Sequence, residues 1–212
     1  MRLLASGLVL LFLAAPAVAG DHRVRTLTGD FDARRAERVE LRLAPGDIVI
    51  EPAADGRVRV ELDVHCAFDQ LGCEEKADRL ELRSSLVAGT LDLKVDGMPS
   101  VSSLGLNLRG RILVPRGKAL EVDLPAGEII IRDLAGDLHL DVGAGEVRIR
   151  MRERDVRSVR LGVGIGEASL SIAGRGIEGS GWLGQKVRWS AGDGPSRVDV
   201  SLGVGELDVR LE

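Results

Sequence analysis

Leu138-His139-Leu140-Asp141-Val142-Gly143-Ala144-Gly145-Glu146-Val147-Arg148-Ile149-Arg150-Met151 is a pair of alternating runs hinged at a glycine. Apolar residues stand at 138, 140 and 142, and again at 147, 149 and 151. A period of two places successive side chains on opposite faces of a strand, so the segment reads as strand, glycine corner, strand and not as helix. The same unit recurs along the chain. Gly110, Gly127, Gly145, Gly166, Gly184 and Gly205 each open an alternating stretch, at intervals of 17, 18, 21, 18 and 21 residues by subtraction, and Gly89 lies 21 residues before the first. Four of these glycines are followed by an acid, Glu128, Glu146, Glu167 and Glu206, with Gln185 at the fifth. Apolar triplets precede the glycines in constant phase, at Leu120, Val122 and Leu124, at Leu138, Leu140 and Val142, at Val159, Leu161 and Val163, and at Val198, Val200 and Leu202.

A short two-strand unit cannot bury its apolar face alone, so the repeats must stack on one another. Stacking at about 4.8 Å aligns equivalent side chains into ladders around a narrow aliphatic interior. The spacing therefore predicts an all-β chain, a single-stranded right-handed β-helix or solenoid with rungs of about 20 residues. The alternative is an antiparallel β-sandwich, whose strands also alternate but need not keep phase. Composition agrees with a thin core: of 212 residues 27 are Gly, two Trp, three Phe and none Tyr, while 44% are hydrophobic and 29% charged. A net charge of −4 with both signs interspersed argues against nucleic acid as a partner.

Residues 1–19 read as a signal peptide: Arg2 gives the positive start, Leu3 to Ala15 the apolar run and Ala17-Val18-Ala19 the cleavage pattern before Gly20. The apolar run is shorter than the roughly 20 residues of a spanning helix, so no membrane span is expected after processing. Residues 20–212 then form one solenoid domain, with irregular first rungs and a cap over 20–100 and regular repeats over 101–212. In the irregular part Val39 to Leu43, Ile48 to Ile50, Val58 to Val64 and Leu91 to Val95 alternate, Glu74 to Leu82 favours a short helix, and Pro99 to Ser103 reads as a polar turn. Cys66 and Cys73 are the two cysteines, and in an exported chain their closeness predicts a disulfide more than a metal pair.

The run Val114-Pro115-Arg116-Gly117-Lys118 leads into Leu120-Glu121-Val122 and Ala126-Gly127-Glu128-Ile129, and Gly136-Asp137 and Gly145-Glu146 continue the habit. Over roughly residues 38 to 211 this resembles the bacterial "putative adhesin" family, the auto-transporter adhesin head of GIN type. The resemblance implies a right-handed single-stranded β-helix on an exported envelope protein without an established enzymatic role, and it brings no functional residues with it.

Catalytic signatures are not found. Gly179-Ser180-Gly181-Trp182-Leu183-Gly184 has the glycines of a dinucleotide loop, but no helix follows as that chemistry requires. His22, His65 and His139 are far apart in sequence and read as surface residues, and no serine sits in a nucleophile elbow. The ladder Glu128, Glu146, Glu167 and Glu206 is the one candidate surface. It reads first as a brace for the corners, with Arg132, Arg150 and Arg210 as counter-charges, and otherwise as a calcium site or a pair of sugar-cleaving carboxylates. Trp182 and Trp189 could stack on a sugar, or fill an irregular rung. The expectation is an exported, non-enzymatic structural or interaction module of the bacterial cell envelope, periplasmic or at the cell surface. It has no catalytic residue, metal or cofactor, and its partner is an envelope protein or polysaccharide. The alternative is a carbohydrate-active or carbohydrate-binding β-helix protein.

Overall fold

Alternation drives the strands, and the computed structural model shows where it breaks. It describes residues 21–67, 71–97, 105–179, 184–190 and 194–212; the segment expected to be a signal peptide, the turn expected at 99–103 and Trp182 fall outside the described residues. The strands are β1 (Asp21–Asp32), β2 (Arg38–Arg42), β3 (Gly46–Ala53), β4 (Arg57–Ala67), β5 (Glu81–Val87), β6 (Thr90–Asp96), β7 (Leu106–Pro115), β8 (Ala119–Arg132), β9 (Leu138–Met151), β10 (Val156–Ile172), β11 (Arg175–Glu178), β12 (Gln185–Ser190) and β13 (Ser196–Leu211). One short helix, α1 (Cys73–Asp78), overlaps the stretch expected to be helical, starting one residue before it and ending before Leu82.

The four long strands β8, β9, β13 and β10 each have two arms. In β9 the buried residues are Leu138, Leu140 and Val142, then Val147, Ile149 and Met151. The step from 142 to 147 is odd, so the chain must turn at the corner to keep both runs facing inward. β8, β13 and β10 repeat that step, from Leu124 to Ile129, Leu202 to Leu207 and Val163 to Ala168. Glycine sits at each corner because the backbone demands it: φ is +128° at Gly127, +135° at Gly145, +141° at Gly205 and +131° at Gly166, where other residues are strained. A Cβ on Gly145 would also lie 1.8 Å from the carbonyl oxygen of Gly127.

The solenoid expectation is overturned. Among the described residues thirteen strands form one mixed sheet, nine of them in the order β1-β4-β7-β3-β8-β9-β13-β10-β11, with β12 on β10, β2 on β8, β6 on β2 and β5 on β6, and it is neither closed nor a solenoid. β8 pairs with β9, β9 with β13 and β13 with β10, all parallel, so the consecutive repeats β9 and β10 are not neighbours. The constant phase of glycine and apolar triplet encodes register, since matching positions must meet for every inward side chain to stay inside. It does not encode order, and β13 enters between β9 and β10.

Antiparallel pairs flank the parallel strands: β1 with β4, β4 with β7, β5 with β6, and β10 with both β11 and β12. The single-strand, right-handed path implied by the adhesin-head resemblance is therefore not the fold. The arrangement is compatible with the sandwich alternative, because inward residues of both arms join one hydrophobic cluster. Two of the repeat glycines leave the ladder. Gly110 pairs with Leu62 and Ile48 inside β7, and Gly184 leads into β12, which runs antiparallel to β10. Gly46 takes a ladder place instead, opposite Gly127.

Candidate functional site

The corner glycines set the acids that follow them in line. Asp47 faces Glu128, Glu128 faces Glu146, Glu146 faces Glu206 and Glu206 faces Glu167, so the four expected glutamates do form one ladder with Asp47 added at its end. Its order is that of the sheet, 128, 146, 206, 167. Carboxylates one strand spacing apart repel by about 0.9 kcal/mol even in water, and the chain relieves part of this with Arg148, whose guanidinium pairs with both Glu128 and Glu146. Among the described residues Glu206 and Glu167 form no ion pair, and no cluster of His, Cys, Asp or Glu is arranged to hold a metal ion.

The expected counter-charges go elsewhere. Arg132 pairs with Glu51 at 3.2 Å, Arg150 with Glu212 at 3.3 Å and Arg210 with Asp208 at 2.8 Å. These arginines form a second ladder on the outer face of the second arms: Arg132 faces Arg150 and Arg150 faces Arg210. Their side chains are 47%, 52% and 57% exposed. Like charges directly opposite on neighbouring strands are unfavourable, and each of these takes its carboxylate from outside the ladder. An open depression of about 330 Å³ follows them, lined by Ile130, Arg132, Arg148, Arg150, Asp208 and Arg210 among others. Spacing along each strand sets these three arginines four residues after the glutamates, yet they do not pair with them. Their mutual alignment was available from the same register that aligned the acids.

A second open depression, about 520 Å³, lies over the outer face of the first arms and includes Arg38, Glu121, His139, Arg160 and Asp199. His139 Nε2 lies 3.2 Å from Asp141. His22 and His65 come onto the adjacent strands β1 and β4, with His22 Nε2 3.3 Å from Glu74 and His65 Nδ1 3.8 Å from Asp21. His65 is only 16% exposed in its side chain and so departs from the solvated surface position expected of it, while His139 stays on β9 away from both. Cys66 on β4 and Cys73 at the start of α1 are disulfide-bonded, with Cα atoms 5.8 Å apart. The bond pins the helix to the sheet beside His22, opposite Cys66 on β1.

Trp189 is half-buried on β12 against the core, opposite Val159, and so fills space where a ligand platform was an alternative. Gly179 and Gly184 are the described glycines of the dinucleotide-like run; the strand β12 follows them, not a helix. Among the described residues no helix is long and apolar enough to cross a membrane.

No family model and no curated protein matches the chain. A solved structure from Clostridium sporogenes, described as "a putative cell adhesion protein", is similar with a TM-score of 0.53 and 13% identity, covering 89% of this chain and 99% of that one. "A putative adhesin" from Parabacteroides merdae has a TM-score of 0.35 and 9% identity over 87% of this chain and 76% of that one. A "putative lipid binding protein" from Parabacteroides distasonis has a TM-score of 0.26 and 9% identity over 88% and 97%. At such identity the first likeness is one of fold, and the other two carry no argument.

Proposed function

We propose that this chain is an exported, non-enzymatic binding module of the bacterial cell envelope, made of a removable segment 1–19 and one folded unit over 20–212, and that its ligand is a carbohydrate polymer. The observation that carries the reading is the outer face of β8, β9, β13 and β10. There, equivalent polar side chains recur in register from strand to strand over open depressions, a surface that suits an extended repeating ligand more than a small enclosed substrate. The Cys66–Cys73 disulfide supports an oxidising compartment, and the fold of the Clostridium protein described as a cell adhesion protein supports an adhesive role.

Fractionation of cells followed by N-terminal sequencing tests this reading. The chain should be recovered outside the cytoplasm beginning at Gly20 or Asp21, and the purified mature protein should be retained by envelope fractions from which protein has been stripped. Recovery in the cytoplasm with Met1 intact, or no retention by stripped envelope, would contradict it.

A further inference from the structure

We infer that the ladder Arg132–Arg150–Arg210 is the binding track of this module and that its ligand is an anionic glycan, a linear polymer carrying a carboxylate or phosphate on successive units. The inference rests on the reading of the chain as a carbohydrate-binding module and names the class of carbohydrate.

Three arginines occupy equivalent positions on the adjacent parallel strands β8, β9 and β13. Their backbones are therefore one strand spacing apart, about 4.8 Å, close to the advance of one sugar ring in an extended chain. The guanidinium fork matches carboxylate and phosphate oxygens in a bidentate manner. Each arginine is about half exposed, and the Arg150–Glu212 pair is exposed on both sides, where such pairs contribute little, while Glu51 and Asp208, the partners of Arg132 and Arg210, are mostly buried. The depression they border is lined by four arginines, each paired with carboxylates a ligand group would have to displace, and Ile130 gives it an apolar side wall against which a ring face can lie. On β10 the position after Arg210 is Ser171, so the track has a defined end. The chain as a whole is at −4, so diffuse attraction does not draw a polyanion to it.

The test uses the purified mature protein and four probes in titration calorimetry: polygalacturonate, a polyol-phosphate wall polymer, neutral dextran and polyglutamate. Binding to polygalacturonate or to the phosphate polymer is expected, with dextran and polyglutamate at least tenfold weaker and affinity falling as salt rises. Whichever of the two anionic glycans binds more tightly identifies the charged group. The variant R132Q/R150Q/R210Q should lose at least tenfold, whereas R79Q/R83Q/R188Q, which removes the same charge from exposed positions elsewhere, should bind as the parent does. R150K alone, which keeps charge but not the fork, should fall between them. Circular dichroism melting confirms that each variant is folded, and a misfolded triple is replaced by the three single glutamine variants. Equal loss in both triples, equal binding of polyglutamate, or no binding of either anionic glycan would overturn the inference. If stripped envelope still retains the ladder triple as well as the parent, the ladder is not the track while the module reading stands; if neither protein is retained, the module reading falls with it.

Discussion

Replacing Gly145 by alanine perturbs the corner on which the fold turns. The residue has φ of +135°, and its new Cβ would sit 1.8 Å from the Gly127 oxygen and 2.8 Å from the carbon of the same carbonyl. Those are backbone atoms of the neighbouring strand, so no rotamer change relieves the contact. Holding a non-glycine residue there costs about 1–3 kcal/mol. Separating β8 from β9 at the corner forfeits two or so ladder bonds of about 1 kcal/mol each. The total is about 3–5 kcal/mol, or roughly 6–20 °C in Tm for a chain of this size.

Gly174 is the internal reference: its φ is +79° but nothing lies within 4 Å of its added Cβ, so Gly174→Ala should cost about 1–2 kcal/mol from backbone handedness alone. Urea denaturation followed by circular dichroism, with slopes compared to confirm a common transition, measures both. The same stacking repeats down the ladder, where a Cβ on Gly205 would meet Gly145 and one on Gly166 would meet Gly205, each at 1.8 Å. Gly205→Ala and Gly166→Ala should therefore resemble Gly145→Ala. Equal losses at Gly145 and Gly174, or a loss at Gly145 below about 1 kcal/mol, would refute the claim that backbone approach between strands fixes these glycines.

Ile149→Asp places a charge at a side chain 2% exposed inside the aliphatic cluster and should unfold the chain or lower stability by more than about 4 kcal/mol, whereas Arg150→Ser, which removes a surface pair with Glu212, should change it by less than about 1 kcal/mol; urea midpoints compare the two. Acid should weaken the fold. Arg34 holds the Asp32 carboxyl well below the usual carboxylate range, Arg59 lowers Asp55, the Thr26 hydroxyl lowers Asp63, and the Gly97 backbone N–H lowers Asp96. All four folded values lie below the unfolded ones, so their contribution is present above a pH of about 4 and is lost as pH falls through the folded values. A urea midpoint that drops between pH 6 and pH 3, and drops less in Asp63→Asn, is the expected result; a midpoint that rises on acidification would contradict it.

Register was legible in the sequence and order was not. The phase that aligns Leu138, Gly145 and Val147 with Val198, Gly205 and Leu207 is a local pattern repeated, and the structure pairs those residues in that alignment. Whether Val198 lies beside Leu138 or one strand further away leaves every inward side chain inside, so the alternation is silent about it. Gly46 carries no such signal because its two flanking runs are split between separate strands, β2 and β3. β1 carries few buried side chains, with Leu27 the buried one, so its apolar signal is weak and its place comes from pairing with β4. At the surface, the glutamate ladder followed from the glycine phase, but its counter-charge did not. Arg148 pairs with Glu146 two residues back on its own strand and also with Glu128 on the neighbouring strand, a cross-strand contact that spacing along one strand does not reveal.

The order of the parallel strands is most directly tested by paired cysteines on the outer face of the first arms. His139 on β9 lies opposite Asp199 on β13, and Asp199 lies opposite Arg160 on β10. His139 and Asp199 are thus one strand spacing apart, while His139 and Arg160 are two, about 9.6 Å, beyond the roughly 7 Å that a disulfide can span. On mild oxidation, with the native Cys66–Cys73 bond in place, peptide mass spectrometry should find the bridge in H139C/D199C and in R160C/D199C and not in H139C/R160C. A bridge in H139C/R160C with none in H139C/D199C would put β10 directly beside β9, the sequential order of a solenoid, and would contradict the fold described above.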